Sequence, residues 1–139
     1  MSVVACNNAT NTGKKNTNEE AQSNTPERIA EDALAKKILA VHDEIMPWDA
    51  ELNRQLRTVK KELKKADLSE DVKKGLLDKK QFLEKTHEAM MDWMAAYASP
   101  EKLRPTKSHE EIMALLKKSQ VGVLELKKSY DIIIEEAEK

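Results

Sequence analysis

The sequence is poor in the residues that mark turns and β-strands. Its 139 residues include only 3 Gly, 4 Pro and 4% aromatic residues. β-Sandwiches and barrels need many turns and aromatic or β-branched strands, and nucleotide-binding α/β folds need Gly-rich phosphate loops. The scarcity of these residues argues against both classes and favours one domain of long helices rich in Ala, Glu, Lys and Leu.

Charge of one sign and long apolar runs are also missing. The chain has 24 Lys and Arg against 25 Asp and Glu, a net charge of −1, so no overall field points to nucleic acid. No apolar run approaches the ~18 to 20 residues of a membrane span. The sequence shows no Gly-rich loop, no nucleophile with a partnered base and no carboxylate-rich metal core, so we expect no enzyme activity.

Cys6 is the single cysteine, so an internal disulfide and a CxxC-type zinc or haem motif are excluded. The run Val3-Val4-Ala5-Cys6 resembles the lipobox of bacterial lipoproteins, in which a small residue precedes the acylated cysteine. The residues that follow are rich in Asn and Thr, a composition that buries too little surface to fold. We therefore expect residues 1–25 to be a disordered tether with a lipid on Cys6.

The sequence before Cys6 lacks the apolar core of a signal peptide. Two localisations are therefore open. In the first, an upstream segment directs the chain to the periplasmic side of a bacterial membrane, where the lipid anchors it. In the second, the protein is cytoplasmic and residues 1–25 are a polar tail.

Three later segments carry apolar residues every three or four positions, as amphipathic helices do. The first covers about 26–66 and contains Pro47, which we expect to kink the helix because the apolar pattern continues in phase. The others cover about 69–98 and 108–138, and each follows a capping serine. Residues 26–139 are thus predicted to form an all-α domain.

Short connections between these segments predict an up-down-up antiparallel three-helix bundle with near-heptad, coiled-coil-like stripes. We expect the stripes to be buried, Val72, Met94 and Leu115 among them. At 1.5 Å per residue the first segment is about 60 Å long against about 45 Å for the others. Its first turns, with Ile29, Ala33 and Leu34, should overhang. They either pack on the 99–107 loop or offer a surface to a protein partner or a second copy.

Two short stretches share a pattern of His, Met and Trp. Residues 42–48 read HDEIMPW and residues 87–93 read HEAMMDW. Antiparallel helices that turn near residue 67 bring residue i opposite roughly 134 − i, so the two stretches should meet at one level. His87 lies on its own apolar stripe and His42 lies beside its own, so we expect His87 to be the more buried histidine.

Imidazole and thioether groups together suit copper, above all Cu(I). The residues that we expect to converge as metal ligands are His42, Met46, His87, Met90, Met91 and Met94. Two interpretations are open. The cluster binds copper, or the chain is a non-enzymatic interaction module in which the cluster only packs in the core.

The stretches 42–47 and 87–94, with the context of Cys6, resemble a group of short lipoproteins of Bacteroidota that carry the label "viral A-type inclusion protein". The resemblance implies a helical protein held at a membrane by a lipid on Cys6. It implies a location more than an activity, because that label stands for no tested function.

Overall fold

The computed structural model describes residues 25–139, and the tether predicted at 1–25, with Cys6, lies outside them except for Thr25. No strand occurs in the described part, so the predicted all-α class is confirmed. Four α-helices have 15 or more residues, and a one-turn helix lies before the last of them. In chain order the helices are α1 Pro26–Ile45, α2 Asp49–Leu63, α3 Glu70–Ala96, α4 Pro100–Leu103 and α5 His109–Ala137.

Side-chain caps open the helices at the predicted positions. The side chains of Thr25 and Ser69 each accept a hydrogen bond from the backbone N–H three residues on. Ser108 and Glu111 form a reciprocal capping box at the start of α5. These bonds satisfy N–H groups that have no partner inside a helix, which is why the helices begin where the sequence predicts.

The segment around Pro47 differs from the single kinked helix predicted over 26–66. α1 ends at Ile45, Met46–Trp48 forms a 3-10 turn, and α2 begins at Asp49. The Asp49 N–H donates to the carbonyls of both Met46 and Pro47. Because Pro47 has no N–H, the α-helical ladder loses one bond here, and the chain tightens into 3-10 geometry. The structure therefore has two α-helices in place of one.

The first helical segment supplies one continuous side of the core, as its stripe predicts. α1 packs mainly against α5, whereas α2 packs against both α3 and α5. The stripe residues of α1, the 3-10 turn and α2 all belong to the core or pack against it: Leu34, Ile38, Val41, Ile45, Trp48, Leu52, Leu56, Val59 and Leu63.

The stripes of α3 and α5 are buried only in part. Val72, Met94 and Leu115 were expected in the core, but they are 51%, 41% and 40% exposed. Met94 is uncovered because α1 packs mainly on α5 and leaves that side of α3 open. Leu115 lies on the outer side of α5, where it lines a surface cavity.

The first turns of α1, which were expected to overhang, are tied to the rest of the chain. Glu31 is only 3% exposed, and its carboxylate accepts from Arg104 Nε at 2.9 Å and lies 2.7 Å from His109 Nδ1. Arg104 also donates to Asp32 at 2.8 Å. Ile29 alone among the large apolar side chains of these turns is strongly exposed, at 57%. The overhang is therefore an anchored end of α1.

Two glycines inside helices provide a matched stability test. A Cβ added to Gly75 meets nothing within 4 Å, whereas one on Gly122 would lie 3.0 Å from Trp93 Cδ1. Gly75→Ala should raise the free energy of unfolding by about 0.5–1 kcal/mol, because alanine loses less backbone entropy in a helix. Gly122→Ala should bring no gain, since Trp93 must move. Urea denaturation measures both, and an equal gain would contradict the close packing of Trp93 on α5.

Candidate functional site

The two His-Met-Trp stretches meet, as the antiparallel register predicts. The His42 ring stacks on Trp93 with centroids 5.4 Å apart and planes 19° apart. About two turns further along, His87 Nδ1 lies 3.1 Å from Asp49 Oδ1. The residue numbers of these pairs add to 135 and 136, and the expected sum was roughly 134.

His42 belongs to a stack of three aromatic rings. Trp93, which covers the His42 ring, also stacks on Tyr97 with centroids 5.3 Å apart, and its Nε1 donates to the Ser119 carbonyl at 2.8 Å. His42 Nδ1 lies 3.2 Å from Asp43 Oδ1, and its Nε2 is buried with no hydrogen-bond partner in the described part of the chain. This stack fixes His42 as a packing residue between α1 and α3.

The expectation that His87 is the more buried histidine is wrong. The side chain of His42 is 16% exposed, and that of His87 is 40% exposed. The aromatic stack covers the first ring, whereas the second reaches Asp49 from the edge of α3. Periodicity along one helix could not show this difference, because the covering rings come from another helix.

Asp49 is the centre of a buried polar cluster. It is 9% exposed, and its Oδ1 accepts from the Tyr130 hydroxyl at 2.7 Å and faces His87. Its Oδ2 accepts from Asn53 Nδ2 at 3.2 Å. Burial, and next the bond to Asp49, raise the pKa of Tyr130 well above its usual range. Because an ionised carboxylate only accepts, the Nδ1–H of His87 is the donor in its contact with Asp49.

The methionines divide between the core and the surface. Met90 is fully buried, and Met46 is partly buried against the core. Met91 and Met94 are 38% and 41% exposed. The six predicted ligands thus fall into an inner set, His42, Met46 and Met90, and an outer set on α3, His87, Met91 and Met94.

Carboxylate, histidine and cysteine side chains do not form a metal centre in residues 25–139, where no group of three or more is placed to hold an ion. The same residues include no helix long and apolar enough to cross a membrane.

An apolar groove runs along the outer side of α3 and α5. Its central cavity, of ≈ 560 Å³, is lined by Phe82, Ala89, Trp93, Gly122 and Leu126, among others. A cavity of ≈ 340 Å³ extends it at one end and shares Trp93 and Gly122. A third cavity, of ≈ 380 Å³, extends it at the other end and shares Phe82. We call this surface the α3–α5 groove.

The α3–α5 groove was not predicted from the sequence. The available signal was a glycine at a position where a helix stripe normally carries a large residue, Gly122. Small side chains leave space between two helices that larger ones would fill.

No family model, curated protein or solved structure matches this chain. The resemblance to Bacteroidota lipoproteins is carried by the quoted residues alone and stays a prediction.

Tyr130 predicts a specific loss of stability in alkali. Its ordinary pKa is 10.0, and the folded chain raises it. Between the pKa values of the unfolded and the folded state, the folded state binds more protons. The contribution of Tyr130 to the free energy of unfolding is therefore complete below pH 10, and above pH 10 it falls by up to about 1.4 kcal/mol per pH unit. Urea denaturation of the wild type and Tyr130→Phe on both sides of pH 10 measures this.

Tyr130→Phe should lose about 1–2 kcal/mol at neutral pH, because one buried Asp49 lone pair is left unpaired, and should have a flatter slope above pH 10. Tyr97→Phe is the matched control. Burial also raises the pKa of Tyr97, but its hydroxyl has no hydrogen bond to Asp49. If the free energy of unfolding falls with the same slope above pH 10 in the wild type and in Tyr130→Phe, the raised pKa of Tyr130 is contradicted.

Proposed function

We propose that this protein is a non-enzymatic helical interaction module that self-associates through the α3–α5 groove. The observation that carries the proposal is the groove itself. Phe82, Trp93 and the buried side chain of Leu126 line its mainly apolar central cavity, on a chain in which 35% of residues are charged. Extended apolar surfaces on otherwise polar proteins mark interaction sites.

The charges beside the groove favour a second copy as the occupant. On α3, Lys85 and Asp92 line it seven residues apart. On α5, Lys118 and Glu125 line it with the same spacing. When each helix packs antiparallel against its own copy across a two-fold axis, the lysine of one copy faces the acidic residue of the other copy on both helices. A parallel pairing would place like charges together.

The size and floor of the groove also suit helix packing. The lining residues of α5 run from Leu115 to Glu136, about 32 Å at 1.5 Å per residue. Ala89 and Gly122 allow the backbones of two helices to approach closely, and Trp93 provides a large apolar contact.

Substitution of alanines on α3 tests the proposal. Ala89 lines the groove, while Ala95 is exposed and absent from its lining. The wild type should show a concentration-dependent monomer–dimer equilibrium in analytical ultracentrifugation. Ala89→Glu should shift it to monomer, because a charge must be desolvated at the interface, and Ala95→Glu should leave it unchanged.

Charge reversal tests the antiparallel pairing itself. Lys85→Glu alone should weaken the dimer, and addition of Asp92→Lys should restore it, because the two exchanged charges again face each other. A wild type that stays monomeric at every concentration would overturn self-association and leave the groove to a helix of another protein. A double variant no better than the single one would overturn the pairing.

The proposal includes an up-down-up arrangement of the long helical segments. Contacts between α1 or α2 and α5 keep the same order in both segments: Glu31 with His109, Glu44 with Lys127, and Gln55 with Ile133. Contacts between α3 and α5 run in opposite order: Lys79 with Glu136, and Trp93 with Ser119. The first and third segments are therefore proposed to be parallel, with α3 antiparallel to both.

We also propose the lipid-anchored, periplasmic localisation, which rests on Val3-Val4-Ala5-Cys6 alone. Metabolic labelling with an alkyne fatty acid should mark the wild type in the membrane fraction and should not mark Cys6→Ser. Unlabelled wild-type protein in the cytosolic fraction would contradict the anchor and support the cytoplasmic alternative.

A further inference from the structure

His87, Met91 and Met94 form one outward face of α3. Their spacing of four and three residues places them on the same side of the helix. Each is substantially exposed: His87 at 40% for its side chain, Met91 at 38% and Met94 at 41%. Met91 lies about 200° around the helix from Ala89, at 100° per residue, so this face is separate from the α3–α5 groove.

The imidazole on this face is held in one orientation. His87 Nδ1 lies 3.1 Å from Asp49 Oδ1, and Asp49 is fixed in turn by Tyr130 and Asn53. This contact uses Nδ1 and leaves Nε2 as the other nitrogen of a ring whose side chain is 40% exposed. A carboxylate that holds one nitrogen while the other is free is the usual outer-shell arrangement of a metal-binding histidine.

We propose that His87 Nε2 and the sulfurs of Met91 and Met94 bind one Cu(I) ion. Two uncharged, polarisable thioethers and one imidazole select a soft monovalent ion over zinc, calcium or magnesium. His87 and Met94 are roughly 10 Å apart along the helix axis, with Met91 between them, so all three long side chains can converge above Met91.

The other predicted ligands do not belong to this site. Met90 is fully buried in the core. His42 is covered by Trp93, and Met46 packs against the core from the 3-10 turn. The outer set is thus the part of the cluster that an ion from solvent can reach without unfolding a helix.

The experiment uses the full chain with Cys6→Ser in every variant, because a thiol binds Cu(I) more strongly than thioethers do. Anaerobic titration with Cu(I) against the chromophoric chelator bicinchoninate measures stoichiometry and affinity. The proposal expects one equivalent per chain. Met91→Leu with Met94→Leu should weaken binding at least tenfold, because the sulfurs are lost while the side-chain volume is kept.

Matched controls separate this site from the rest of the chain. Met113→Leu and His109→Gln should bind as the Cys6→Ser parent does, whereas His87→Gln should bind at least tenfold more weakly. In ¹⁵N NMR of the parent, Cu(I) should shift His87 Nε2 and leave the His42 ring unchanged. Circular dichroism checks that each variant is folded.

Absence of Cu(I) uptake by the parent, or uptake unaltered by the paired methionine substitutions, would overturn the proposal. Both outcomes are independent of dimer formation, because the groove lies on another side of α3.

Discussion

The packing of α2, α3 and α5 depends on the contacts of one buried group, the carboxylate of Asp49. It receives the Tyr130 hydroxyl from α5 and faces the His87 ring from α3. A buried charge without partners is strongly destabilising, so these donors must be in place for the core to close around it. The position of Asp49 in the first turn of α2 adds the favourable field of the helix N-terminus.

A second buried carboxylate, Glu31, has the same role at the other end of the bundle. Arg104 and His109 hold it, so the beginning of α1 is joined to the end of α4 and the beginning of α5. Each of the three histidines has a carboxylate neighbour, but only His87 and His109 reach one on a different helix. Two histidines therefore contribute to tertiary structure through polar contacts, and His42 contributes through ring stacking.

The break at Pro47 determines which surfaces stay open. α1 packs mainly on α5, whereas α2 packs on α3 and α5. The C-terminal part of α3 consequently packs against few residues on one side, where Met91 and Met94 are exposed. Its other side borders the α3–α5 groove, because small residues there do not fill the space. The exposure of Met91 and Met94 thus accompanies the way the first segment divides its contacts, whereas the groove follows from the small residues that line it.

Much of the helical architecture could be predicted from the sequence because its causes are local. The caps at Thr25, Ser69 and Ser108 bond to backbone groups three residues away, and the stripe from Leu34 to Leu63 repeats with the helical period. The meeting of the two His-Met-Trp stretches required one further premise, a tight turn near residue 67. That premise gave the register seen in the pairs His42–Trp93 and Asp49–His87.

The candidate site was predicted less well, because burial and hydrogen bonding depend on residues far away in sequence. The six predicted ligands include the outer set on α3. Periodicity alone does not separate buried Met90 from exposed Met91 and Met94, because their burial depends on where α1 packs. The relative burial of His42 and His87 was decided by Trp93 and Asp49, each on a neighbouring helix. The all-helical class and the starts of α1, α3 and α5 could be predicted from the residues alone, since they follow from bonds within a few residues. The division of the first segment at Pro47 and the covered side of each helix could not, because they depend on how helices distant in sequence share a limited core.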